Sequence, residues 1–194
     1  MELRKRGVEH VEYFVTDGLQ GLKKVILQVF PKTHYQRCVL HMVRQSLNKV
    51  RVKDRVVIAE DLKRIYRDSN QVQAREALNK FHNKWNAIYP RVASAWQEAI
   101  EDLITFMNSL PKIRSYVYTT NVLERLIKEM KRRLKIMEML KTPQSSERFL
   151  YFILEKVNEK YLNRKLKNWE FYFQIYLENR NQKSVHRCLK TQLT

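Results

Sequence analysis

Hydrophobic positions along this chain keep a short strand-like period near the start and a helical one afterwards. Val11 to Thr16 is brief and rich in β-branched and aromatic residues, and Asp17-Gly18 breaks it, which predicts a buried strand ending at Asp17. Leu19, Leu22, Ile26 and Val29 then recur at helical spacing until Phe30-Pro31 stops them. His34 to His41 reads as a second strand, so the opening segment predicts a strand, helix, strand unit with partly parallel pairing. From about Arg44 onward the strand signals disappear. Helices are expected at Val56 to Tyr66, Ala74 to Tyr89 and Val92 to Phe106, with Tyr89-Pro90 and Leu110-Pro111 as breaks. Longer ones follow at Asn121 to about Leu140 and at Ser145 to Tyr161, then an aromatic segment from Trp169 to Tyr176. No fixed-period repeat interrupts this order.

Composition supports a folded chain and excludes a low-complexity one: 44% of the 194 residues are hydrophobic, with only three Gly and four Pro. Charge adds a partner class. The formal net charge of +18 is spread along the chain and favours a polyanion, nucleic acid being the commonest. No apolar run reaches the roughly 18–20 residues that cross a bilayer, and Met1 to Arg6 leads into no hydrophobic signal core, so a cytoplasmic protein with no membrane partner is expected. Cys38 and Cys188 are far apart and form no disulfide framework.

Several residues have the chemistry for a site, each with a structural alternative. Asp17 stands where a strand ends, the place where sites assemble in open α/β sheets, and a carboxylate there suits a divalent ion; equally, Asp-Gly is a turn in which Asp17 caps the next helix. On the Asn121 helix, Leu123, Leu126, Ile127, Met130, Leu134 and Met137 share an apolar stripe, while Lys128, Lys131, Arg132 and Lys135 lie opposite with Glu124 at the edge. Glu124 would position a metal beside gripped phosphates, or complete a capping box with Asn121 as N-cap. Cys38 and His41 have metal-ligand spacing, with His186 and Cys188 as conceivable zinc partners, or they simply pack and hydrogen-bond at a strand end. The basic run Lys128, Lys131, Arg132, Arg133 and Lys135 suits DNA phosphates as well as solvent. Trp85, Trp96, Trp169, Phe171, Tyr172 and Phe173 are spaced for helix packing and are expected in the core.

The order of motifs resembles the Mutator-type transposases, which include many bacterial insertion-sequence enzymes. The residues that carry the resemblance are Arg6-Gly7-Val8, Val15-Thr16-Asp17-Gly18 with Gly21-Leu22, Phe30-Pro31, Gln36-Arg37-Cys38 with His41, and Thr119 to Arg125 followed by Lys131-Arg132-Arg133. The resemblance implies a ribonuclease-H-like core of α/β class, here mostly helical and incomplete. It divides the chain into a partial core over 1–48, an all-helical insertion over 49–115, and C-terminal helices completing the core over 116–194. Asp17 then matches the family's second catalytic aspartate and Glu124 its glutamate, both as ligands of a divalent metal, Mg²⁺ being the expected ion. Asn121 and Arg125 would flank that site, and Cys38 and His41 would support it. Arg125 and the run from Lys128 to Lys135 would hold DNA, the substrates being transposon ends and target DNA.

Two positions depart from the family pattern. Ile127 stands where an asparagine is usual, and the family's first catalytic aspartate would lie on an earlier strand than any in these residues. The implied reading is a truncated Asp-Asp-Glu transposase fragment, inactive alone, that assembles with itself or with a full-length transposase. The alternative is a non-catalytic basic DNA-binding or regulatory remnant.

Overall fold

The structure is a computed structural model that describes residues 2–67, 70–136 and 142–163, together with 170, 171, 174, 177 and 178. Two compact units divide the chain, Met1–Leu123 and Glu124–Thr194.

In the first unit a short helix α1 (Glu2–Lys5) precedes strand β1 (Tyr13–Thr16), helix α2 (Leu22–Val29) and strand β2 (His34–Arg37). The two strands pair in parallel, Tyr13 opposite His34 and Thr16 opposite Arg37, as a strand, helix, strand unit requires. The Cys38 N–H extends the ladder by one bond, to Thr16 O at 2.6 Å. Two expectations need correction here. Leu19 is not helical: Gly18 and Gly21 hold φ of 89° and 82°, the left-handed region that ends a right-handed run, and Leu19 is left exposed. Nor does β2 reach His41. It stops at Arg37, and helix α3 (Val39–Leu47) begins because Val39, Met42 and Ser46, at helical spacing, all find buried places; burial outweighs the β-propensity of Val39.

The helical module follows. Helix α4 (Arg55–Arg67) buries Ile58, Leu62 and Ile65, and α5 (Gln71–Trp85) buries Ala74, Leu78, Phe81 and Trp85. Asn70 caps α5 by accepting the Gln73 N–H at 3.0 Å, and the helix ends four residues earlier than the expected Tyr89, whose place before Pro90 is non-helical. Helix α6 (Pro90–Leu103) starts on a proline whose missing N–H costs nothing at that position, and buries Val92, Ala93, Trp96, Ala99, Ile100 and Leu103. A 3₁₀ turn (Thr105–Asn108) takes over where the helix was expected to continue to Phe106. Helix α7 (Pro111–Val117) is too short to have left a periodic signal. Phe81 and Trp96 meet at 6.5 Å between centroids, and the Trp96 indole donates to Ser46 Oγ at 2.8 Å, so the largest core side chain has its polar atom satisfied.

Helix α8 (Asn121–Ile136) spans the boundary between the units, and α9 (Pro143–Leu162) lies in the second. Thr142 caps α9 in a reciprocal box with Ser145, an addition to the expected Ser145 start. Ile153 is buried, while Phe171, expected in the core, is 64% exposed. Trp169, Tyr172, Phe173 and Tyr176, and the stretch from Met137 to Leu140, lie outside the described residues. None of the described helices is long and apolar enough to cross a membrane.

Candidate functional site

Asp17 is the first residue after β1, exposed, at the carboxyl end of a parallel pair. It does not cap the next helix. The N-cap of α2 is Gly21, with no side-chain bond, so of the turn reading the Asp-Gly turn is present at Gly18 and the capping role is not. Thr16 shapes the turn instead: its hydroxyl accepts the Gly18 N–H at 3.3 Å and bonds the Tyr35 hydroxyl at 2.7 Å. Opposite Thr16, Arg37 leads its side chain across Gly18, whose missing Cβ leaves the guanidinium room.

Gln36 and Cys38 flank Arg37 and face inward, both at 0% exposure. The Gln36 amide donates to Leu103 O at 2.9 Å and Arg37 O at 2.6 Å, while its oxygen accepts the Phe106 N–H at 2.7 Å. One side chain thus ties the strand to the end of α6. The Cys38 thiol donates to Thr119 Oγ1 at 3.7 Å and accepts the Thr120 hydroxyl and N–H, both at 3.4 Å. Thr120 Oγ1 also bonds His41 Nδ1 at 3.3 Å. Burial pushes the thiol pKa up, but the hydrogen bonds from Thr120 outweigh it and hold the group below its ordinary value. This network pins the start of α8 to the start of α3, with the Val39 N–H bonded to Tyr118 O at 3.0 Å. His186 and Cys188, the conceivable zinc partners, lie outside the described residues.

Asn121 is the first residue of α8 rather than its cap, and its own N–H is received by Thr119 Oγ1 at 3.2 Å. One helical turn on, Glu124 is half-buried, and Arg125 is exposed beside it. Lys128 and Lys131, four and seven positions after Glu124, share its face and are exposed. Arg132 and the half-buried Arg133 both close on Glu129, at 2.9 and 2.7 Å, and those guanidiniums hold the Glu129 carboxyl down at about 2. Lys135 lies in α8, with its side chain outside the described residues. The apolar stripe is only partly covered: Leu126, Met130 and Leu134 are half-buried, but Leu123 and Ile127 are 55% and 40% exposed.

The chemistry of the donors separates two roles. Asp17 offers hard carboxylate oxygens in the open, which suits Mg²⁺, and Glu124 offers the same donor type. Cys38 offers a soft sulfur already surrounded by hydrogen bonds, which suits a structural post and not Mg²⁺. Sequence reasoning named Gln36, Arg37, Thr119 and Thr120 only as motif residues and assigned them no role. Their side-chain partners lie far away in sequence, and only their place within the motifs signalled them.

Comparison with known proteins agrees with the motif order. The family model described as "Transposase, Mutator family" matches residues 1–164. The transposase for insertion sequence element IS1201 of Lactobacillus helveticus is 34% identical over 148 residues, covering 76% of this chain and 40% of that protein. The transposase for IS905 of Lactococcus lactis subsp. lactis is 35% identical over 159 residues, covering 82% and 40%. The transposase for IS256 in transposon Tn4001 of Staphylococcus aureus is 26% identical over 175 residues, covering 87% and 44%. The chain spans about two fifths of the length of the curated relatives it matches. With a family match across most of its length and relatives above 30% identity, this chain belongs to the Mutator family of transposases.

Proposed function

We propose that these residues form part of a metal-dependent transposase centre that cuts and joins DNA, built on a ribonuclease-H-like core with the helical module 49–115 inserted into it. The observation that carries this reading is Asp17: in a chain of this family it is an exposed carboxylate at the carboxyl end of a parallel strand, unused as a helix cap. Asp17 and Glu124 would be metal ligands. A bound Mg²⁺ would activate the attacking water or 3′-hydroxyl and stabilise the leaving oxygen at phosphorus.

The chain's own part is to hold the DNA and orient it. Arg125, Lys128, Lys131, Arg132, Arg133 and Lys135 place six cations on α8 against two carboxylates, Glu124 and Glu129. Such a face binds phosphates without reading bases. Cys38, His41, Thr119 and Thr120 position the helix that bears Glu124. The relatives are named as transposases for insertion sequence elements, so transposon ends and target DNA are the proposed substrates. Asp17 and Glu124 would be two of the carboxylates of that centre, and these residues would bind DNA through the basic side chains of α8.

The test is binding of a short fluorescent duplex across roughly 50 to 200 mM salt, where each neutralised phosphate contributes about −0.9 to the slope of log K against log salt. A steep slope is expected. Undetectable binding, or binding insensitive to salt, would overturn the DNA reading.

A further inference from the structure

We propose that Arg37 is a positioning residue for a DNA backbone phosphate beside Asp17, and that Gly18 lacks a side chain so that the Arg37 guanidinium can lie there. The inference rests on the DNA-transposase reading and extends it to a residue outside the carboxylates and the basic face of α8. Three observations converge on it.

The first is location. Arg37 ends β2 in register with Thr16, the residue before Asp17, so Arg37 and Asp17 both stand at the carboxyl ends of the parallel pair, the edge where open α/β sheets gather ligands. The second is the fit against Gly18. A Cβ there would stand 2.3 Å from Arg37 Nε, 2.9 Å from Cζ and 3.0 Å from Cδ, so any other residue at 18 would push the Arg37 side chain out of this place. The glycine therefore serves the guanidinium as well as the turn, where its φ is 89°.

The third is an unmet bond. Arg37 Nε is buried without a hydrogen-bond partner among the described residues. Other buried polar side chains nearby are satisfied: Gln36 makes three bonds, and Ser46 receives the Trp96 indole while donating to Met42 O. A buried orphan donor is costly enough that native structures keep few of them. The group that would satisfy it must be an acceptor and must tolerate a permanent cation. A phosphate does both, because the guanidinium fork matches two phosphate oxygens with paired N–H donors. With a net charge of +18 the chain has no surplus of carboxylates to compete for it.

The test uses the 194-residue chain, a short fluorescent duplex and a salt series, with Arg37→Gln and Arg37→Lys. Arg37→Gln should lower affinity roughly tenfold at low salt, as the loss of a charge-assisted bond implies. It should also reduce the salt slope by about 0.9, one phosphate's worth. Arg37→Lys should keep the wild-type slope while losing part of the affinity, since a point charge replaces the fork. A wild-type slope in a folded Arg37→Gln overturns the proposal, because a purely structural arginine would leave the slope unchanged.

A second readout needs no disruptive variant. The Nε–H resonance that disappears in Arg37→Lys should shift when wild-type chain is titrated with the duplex. A resonance that stays in place while DNA binds overturns the proposal. If wild type binds no DNA, the broader reading falls and this one with it; if wild type binds and Arg37 is silent, only this one falls.

Discussion

Replacing Gln36 by leucine tests how the strand is tied to the helical module. The side chain is fully buried and of nearly leucine's volume, so the change creates little cavity. What it removes is the acceptor for the Phe106 N–H and the donor to Leu103 O and to the part-buried Arg37 O, at 2.7, 2.9 and 2.6 Å. Leaving two buried backbone groups unmet costs about 2–6 kcal/mol together. Burying leucine in place of the amide offsets about 2 kcal/mol of that. The net expectation is a loss of about 2 kcal/mol, the middle of the resulting range of about 0–4, a large part of the roughly 5–15 kcal/mol that holds a domain together. In urea unfolding, with m of about 1–3 kcal/mol per M, the midpoint should fall by about 1–2 M at unchanged m. A fall below about 0.3 M would refute the reasoning, since it would mean those backbone groups find other partners at little cost.

Trp96→Phe removes the indole bond to Ser46 and part of the core volume, and should cost about 2 kcal/mol by the same assay. Burial and then Glu12, against the lowering effect of Arg114, raise Tyr13 from 10.0 to about 12. The stabilising contribution of its neutral form is therefore complete below pH 10 and lost as pH rises toward 12; an absorbance titration should show one late tyrosine that Tyr13→Phe removes. Glu129, held near 2 by Arg132 and Arg133, keeps those ion pairs above its ordinary value of 4.5 and loses them as pH falls toward 2, which carboxyl NMR titration would follow. Glu129→Gln frees both guanidiniums and should raise duplex affinity several-fold at low salt, measured by anisotropy.

The strand, helix, strand opening was legible because its hydrophobic positions are local. So was each helix of the module, since Ile58, Leu62 and Ile65, or Ala74, Leu78, Phe81 and Trp85, repeat at helical spacing. The limits of β2 and α2 were not, because they depend on left-handed glycines and on where Val39 and Met42 find burial. For the site, the end of β1 left Asp17 open between a turn residue and a metal ligand, and only the order of motifs along the chain set it apart. The hold on Cys38 by Thr119 and Thr120 joins positions about eighty residues apart, a relation no local pattern encodes. Periodicity on α8 says which residues share a face, and not that anything covers it; Leu123 and Ile127 are exposed accordingly.

Metal binding by the two carboxylates is the central claim, and titration with Mn²⁺ in place of Mg²⁺, read as loss of the free-ion paramagnetic resonance signal, tests it most directly. Wild-type chain should take up Mn²⁺, with Asp17→Ala and Glu124→Ala each weakening uptake and the double variant abolishing it. An unchanged isotherm in a folded double variant would contradict the account, whatever the chain does with DNA.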